Sequence, residues 1–122
     1  MANPNGAKGA RAERLVADYL KGCGWPYADR RVKTGAKDTG DIGGVPVVIE
    51  VKNCRTSQLA GWVDEALAEA INAKQDIGVV WHHRQGKGKP EDWYVTMTGR
   101  DFERLLVAYG RLLLAEQQAL AI

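Results

Sequence analysis

Apolar positions along the chain follow two periods, one helical and one alternating. Over residues 9–23 they recur with helical spacing: Leu15, Val16, Tyr19, Leu20 and Cys23 form a stripe, which Gly22 and Gly24 bring to an end. A second stripe, Leu59, Trp62, Val63, Ala66, Leu67, Ala70 and Ile71, follows Thr56 and Ser57, either of which suits an N-cap, and runs out near Gln75. Its opposite face carries Asp64, Glu65, Glu69 and Asn72, so this segment reads as a helix packed over a sheet, with no chemistry of its own. Residues 77–83 and 93–97 read as strands. Thr98-Gly99-Arg100-Asp101 then has the form of a capping box with Asp in place of Glu, ahead of a helix with Phe102, Leu105, Leu106 and Tyr109 on one side. Gly110 is expected to interrupt that helix, and Leu112-Leu113-Leu114 opens a last apolar segment over 110–122.

The alternating run is Val47-Val48-Ile49-Glu50-Val51, followed by Lys52. On a strand, residues two apart share a face, so Val48, Glu50 and Lys52 point one way and Val47, Ile49 and Val51 the other. A half-buried strand would ordinarily place an apolar residue at position 50. Gly43-Gly44 signals a turn and Pro46 is unfavourable in mid-strand, which predicts a four-residue loop at 43–46. Ile42 then stands opposite Val47 and Asp41 opposite Val48, so Asp41 joins the face of Glu50 and Lys52. Its relation to Glu50 is the diagonal one, with backbones roughly 7–8 Å apart. A tighter Gly-Gly turn keeps the facing and lengthens the distance. Two acids buried without a counter-ion are costly, and together they suit one hard cation. Asp38, at odd spacing from Asp41, falls on the other face if the strand is regular there.

Composition narrows the class without choosing a function. The 122 residues predict a single domain over 1–122, with 1–8 a loose leader and 110–122 a carboxyl-terminal helical segment. Apolar content of 45% and charged content of 26% are ordinary for a folded domain, and a net charge of +2 decides little. No apolar run is long enough for a membrane span, and no signal peptide is recognisable. Two cysteines, Cys23 and Cys54, are too few for a disulfide framework and read as thiols of a cytoplasmic protein. A short strand and a polar loop are expected over 27–40, where Arg30, Arg31, Lys33 and Lys37 precede the first acid after them, Asp38. Beside a carboxylate site such a stretch suits phosphate contacts, and Arg55, just past the strand, is placed to join them. His82 and His83, as neighbours on a strand, face opposite ways and cannot serve one site. Gly86-x-Gly88 lacks the Gly-Lys-Ser/Thr helix start of a nucleotide-binding loop, so no nucleotide cofactor is expected.

Lys8-Gly9-Ala10-Arg11-Ala12-Glu13-Arg14, then Arg30 and Arg31, then Asp41-Ile42 and Ile49-Glu50-Val51-Lys52, resemble the archaeal-type Holliday junction resolvases of the PD-(D/E)xK nuclease superfamily. The resemblance covers about the first half of the chain motif by motif and the remainder by order of elements. Thr39-Gly40 stands where the family places a proline before its aspartate. The resemblance implies an α/β fold with a restriction-endonuclease-like core, in the order α-β-β-β-α-β, whose mixed central sheet is flanked by helices. It makes Glu13, Asp41 and Glu50 a metal-binding acidic cluster and Lys52 the catalytic lysine, and it sets Lys8 and Arg11 beside the DNA. It further implies one or two Mg²⁺ ions (Mn²⁺ able to substitute), a homodimer, and hydrolysis of phosphodiester bonds at four-way DNA junctions in recombination and repair. From the residues alone, Glu13 sits at the margin of the first helix's buried stripe, one turn from the helix start. First-turn placement beside the helix dipole is the favoured account of it there. Two other functions fit the same residues: a nuclease of this chemistry acting on other branched, flapped or damaged DNA, and a DNA-binding protein without catalysis.

Overall fold

The structure, a computed structural model, describes residues 4–32 and 37–121. Helix α1 (Pro4–Gly22) leads into β1 (Asp29–Arg30), β2 (Ile42–Gly43) and β3 (Val48–Lys52). Helix α2 (Leu59–Ala73), β4 (Gly78–His82), a single 3-10 turn at Pro90–Asp92, β5 (Tyr94–Thr96) and α3 (Gly99–Leu120) complete the chain. The strands form one mixed sheet in the order β1-β2-β3-β4-β5, antiparallel throughout except for the parallel pair β3–β4 that α2 connects. The α/β expectation holds at this level. No helix among the described residues is long and apolar enough to cross a membrane.

The alternation of β3 sorts the two layers. Ile49 and Val51 lie in a core with Ala12, Val16 and Ala17 of α1, Ile42, Val79 and Trp93. The other face meets α2 through Trp62 and Ala66, which pack with Val80. Because Glu50 is level with Val80 and Lys52 with His82 in the parallel register, Glu50 and Lys52 project toward α2. His82 lies beside Trp62 and His83 beside Trp93, so the two histidines do face opposite layers.

Several boundaries and faces differ from expectation. Helix α1 starts at Pro4 inside the supposed leader; a proline in the first turn gives up only an N–H that has no helical partner. Glu13 is therefore a mid-helix residue, and its first-turn explanation falls. The buried stripe of α1 runs through Ala12, Val16 and Ala17, leaving Leu15 and Cys23 exposed. The hairpin pairs Ile42 with Ile49 rather than Val47, two residues further along β3. A shift of two preserves every facing, as period-2 geometry requires. Helix α2 begins one residue after Gln58, with neither Thr56 nor Ser57 capping it. Helix α3 runs unbroken through Gly110; Thr98 caps it by accepting the Asp101 N–H.

The buried face of α2 is also turned from the expected one. Trp62, Ala66, Glu69 and Ala70 are buried, whereas Ile71 is exposed. Alanines let the helix come down close to the sheet. A Cβ at Gly78, the first residue of β4, would strike the carbonyl of Ala66, so only glycine admits that approach. The Gly78 N–H is taken by Oδ2 of Asp101, which is buried at the first turn of α3 and also paired with Arg104 at 2.9 Å.

Gly78→Ala should push α2 off the sheet and lower stability by about 1–3 kcal/mol, read as a fall in the urea midpoint at unchanged slope. An unchanged midpoint would show that the approach of α2 is not set there.

Candidate functional site

The hairpin brings Asp41 to β3 more closely than the expected register allowed. The Asp41 N–H donates to the Ile49 carbonyl at 2.8 Å, and its Oδ2 accepts the Val51 N–H at 2.8 Å. Asp41 is 4% exposed and Glu50 3%, so both carboxyls lie at the floor of the site. Just upstream, Gly40 takes a φ of +96°, where a side chain would also collide with Val48. That turn removes the regular extension on which the facing of Asp38 depended. Asp38 folds back, its Oδ1 accepting the Gly40 N–H at 2.9 Å and its carbonyl accepting Nδ2 of Asn72 on α2 at 2.9 Å.

Asp38 thereby joins Glu50 and Glu69 in a group whose ligand oxygens all lie within 4.8 Å of one another, an arrangement able to hold a metal ion. Glu69 comes from the face of α2 expected to be solvated, and it is 3% exposed. Apart from a proton shared between Glu50 and Glu69, no donor among the described residues reaches either of its oxygens or Oε1 of Glu50. Glu65, one turn earlier on α2, accepts from the Lys52 ammonium at 3.0 Å, and that ammonium lies 3.4 Å from Oε2 of Glu50. The acids of α2 were missed because polar letters in an apolar stripe default to solvent. The line Trp62-Ala66-Glu69-Ala70 was the signal available.

Glu13 is not in that group. It lines a cleft with Asp41, Glu50 and Glu65, a lining that does not take in Asp38 or Glu69, and its Oε2 is held by Arg30 Nε at 2.8 Å. The cleft, of about 1060 Å³, runs from α1 across the end of the hairpin to β3 and α2. Of the residues expected to meet DNA, Lys8, Arg30, Arg31 and Arg55 line it; Arg11 and Lys37 are exposed outside the lining, and Lys33 lies outside the described residues. Arg31 is committed to the fold, donating to Thr39 Oγ1 at 2.9 Å and to the Ile42 carbonyl. Arg14, not expected at the site, joins the lining and is paired with Asp29 at 2.9 Å.

Burial sets the protonation of the floor. It raises the Glu50 carboxyl to about 11, helped by Glu65, by the charge of Asp41 and by Glu69. Glu69 is raised to about 7: burial drives it up, a hydrogen bond with Glu50 works against the rise, and the charges of Asp38, Glu65 and Asp41 add to it. Burial works against the Lys52 charge, but the carboxylates of Glu65 and Glu50 outweigh it and hold its pKa above the ordinary value. Lys52 is thus a firmly charged ammonium, suited to attract a phosphate rather than to remove a proton. No protein-family model, curated protein or solved structure matches the chain.

The raised Glu69 carboxyl has a stability consequence with a definite sign. Its contribution is complete below its ordinary value of 4.5 and is lost as pH rises through about 7, because the unfolded chain releases the proton first. In chelator, Glu69→Gln should therefore gain melting temperature relative to the unsubstituted protein between about pH 5 and about pH 8. A difference that stays flat over that interval would show Glu69 to be ordinary.

Proposed function

We propose that this chain is a metal-dependent endodeoxyribonuclease with a restriction-endonuclease-like core, hydrolysing phosphodiester bonds at four-way DNA junctions. The observation that carries the reading is the meeting of Asp41, Glu50 and Lys52, from the hairpin and β3, at the floor of a cleft rimmed by Lys8, Arg14 and Arg55. The element order α1-β1-β2-β3-α2-β4, with β3 and β4 parallel, agrees with the core the sequence resemblance implies.

The floor fits a hard divalent ion. Glu50 Oε1 is buried without a donor, next to further carboxylates, and Mg²⁺ or Mn²⁺ takes such oxygens together with water. Asp41 and Glu50 would hold the ion, with Glu13 on the wall of the cleft. When bound, it supplies positive charge at the scissile phosphate and a more acidic water. The protein's own groups do the rest. Lys52, fixed between Glu50 and Glu65, points its charge at the phosphate and orients the attacking water. Lys8 and Arg55 hold flanking phosphates without reading sequence. In the hydrolysis the water oxygen bonds to phosphorus, the bond to the 3′-oxygen breaks, and that oxygen takes up a proton, leaving a 5′-phosphate and a 3′-hydroxyl.

Resolving a junction takes paired cuts, and α3 offers a surface for a second copy of the chain. Phe102, Leu106, Tyr109, Leu112, Leu113 and Leu120 follow helical spacing along one side and are 42–88% exposed. A helix with so little of its length packed is marginal by itself, which gives pairing of two α3 helices a physical reason.

Three measurements test this. Purified protein with Mg²⁺ should cut a synthetic four-way junction in preference to linear duplex; equal cutting favours a nuclease for other branched or damaged DNA, and binding without cutting favours an inactive DNA-binding protein. Glu50→Gln should reduce cutting by roughly a hundredfold or more while junction binding persists. Leu106→Glu with Leu113→Glu should convert a dimer to a monomer in sedimentation, and an unchanged mass would rule out pairing through α3.

A further inference from the structure

We propose that Glu69 of α2 is a divalent-cation ligand, holding the ion together with Glu50 and, from the rim, Asp38. The inference rests on the reading of Glu50 as a metal-holding residue and assigns it a partner that the resemblance does not supply. Glu69 is 3% exposed, and no donor among the described residues reaches either of its buried oxygens except the Glu50 carboxyl while that group keeps its proton. A carboxylate so placed costs several kcal/mol unless something positive reaches it. The nearest ammonium, Lys52, is spent on Glu50 and Glu65. What does face Glu69 are the carboxyls of Glu50 and Asp38, within 4.8 Å.

The two other members are held in place for the purpose. Oε2 of Glu50 points to Lys52, while its Oε1 is buried and without a donor. Asp38 is drawn onto α2 by Asn72, three residues beyond Glu69, and its Oδ1 is oriented by the Gly40 N–H. Asn72 is therefore a positioning residue for the rim ligand. Glu13, which the resemblance would make the third acid, is bound to Arg30 instead. Glu50, Glu69 and Asp38, like the neighbouring Asp41, offer carboxylate oxygens and no nitrogen or sulfur, which selects a hard ion such as Mg²⁺, Mn²⁺ or Ca²⁺.

The test is calorimetric titration of the full chain with Mn²⁺ and with Ca²⁺, in the absence of DNA. Glu69→Gln should weaken binding by about tenfold or more, and Asp38→Asn, on an exposed residue that cannot unfold the core, should weaken it in the same direction. Asp64→Asn, on the solvent side of α2, should leave it unchanged. Unchanged affinity in Glu69→Gln, or a loss found only in Glu13→Gln, overturns the proposal. A melting temperature raised in Glu69→Gln with affinity intact would mean that Glu69 holds only a proton shared with Glu50. Because the readout contains no DNA, a chain that binds ions through Glu69 yet cuts nothing sinks the nuclease reading alone. A chain that cuts junctions with ion affinity indifferent to Glu69 sinks this one alone.

Discussion

Two carboxyl groups, Glu50 on β3 and Glu69 on α2, face each other in a layer that excludes water, and the site is built around that opposition. Each is 3% exposed. Glu50 can donate to Glu69 only while it carries a proton, and without one the pair repels. Burial in low dielectric turns a modest repulsion into a large one, so the contact persists only with a proton or a cation between the two layers. Elsewhere α2 meets the sheet through Trp62 and Ala66 packed on Val80 of β4, and through the Lys52–Glu65 ion pair at 3.0 Å.

The same contact explains what could and could not be read from the chain. The facing of Glu50, Lys52 and Asp41 was legible because strand periodicity is strict and a slip of two residues leaves it unaltered. The distance was not legible, because the hairpin loop is longer than Gly43-Gly44 and Pro46 suggest, and Ile42 meets Ile49. Helix α2 was legible as an element, but its rotation was not. The expected stripe rightly held Trp62, Ala66 and Ala70, but it also took Leu59 and Ile71 inside and left Glu69 to solvent. Close approach over Gly78, where Ala66 and Ala70 meet the strand, sets the small rotation that reverses those choices. Asp38 escaped for a related reason: a left-handed glycine at position 40 breaks the period that facing arguments need.

Counting basic residues would also have misled. Arg14, Arg30 and Arg31 all line the cleft, yet each is engaged by Asp29, Glu13, or Thr39 and the Ile42 carbonyl. Their first duty is to fasten α1, β1 and the hairpin to one another. Lys8 and Arg55 line the same cleft, and Lys52, paired with Glu50 and Glu65, lies at its floor.

That distribution bears on how a polyanion approaches an acidic floor at all. Asp41, Glu50 and Glu65 at the floor, with the buried Glu69 close to Glu50, would repel a phosphate if every carboxyl were ionised. With Glu50 raised to about 11 and Glu69 to about 7, the metal-free floor carries less negative charge at neutral pH than its composition suggests. A cation that replaces those protons keeps the sum low while freeing the carboxylates to act as ligands, and its affinity must rise with pH as the protons leave. The burial that makes these acids costly to the fold therefore also lowers the negative charge that the proposed phosphate substrate would meet, whether a proton or the proposed divalent ion sits between them.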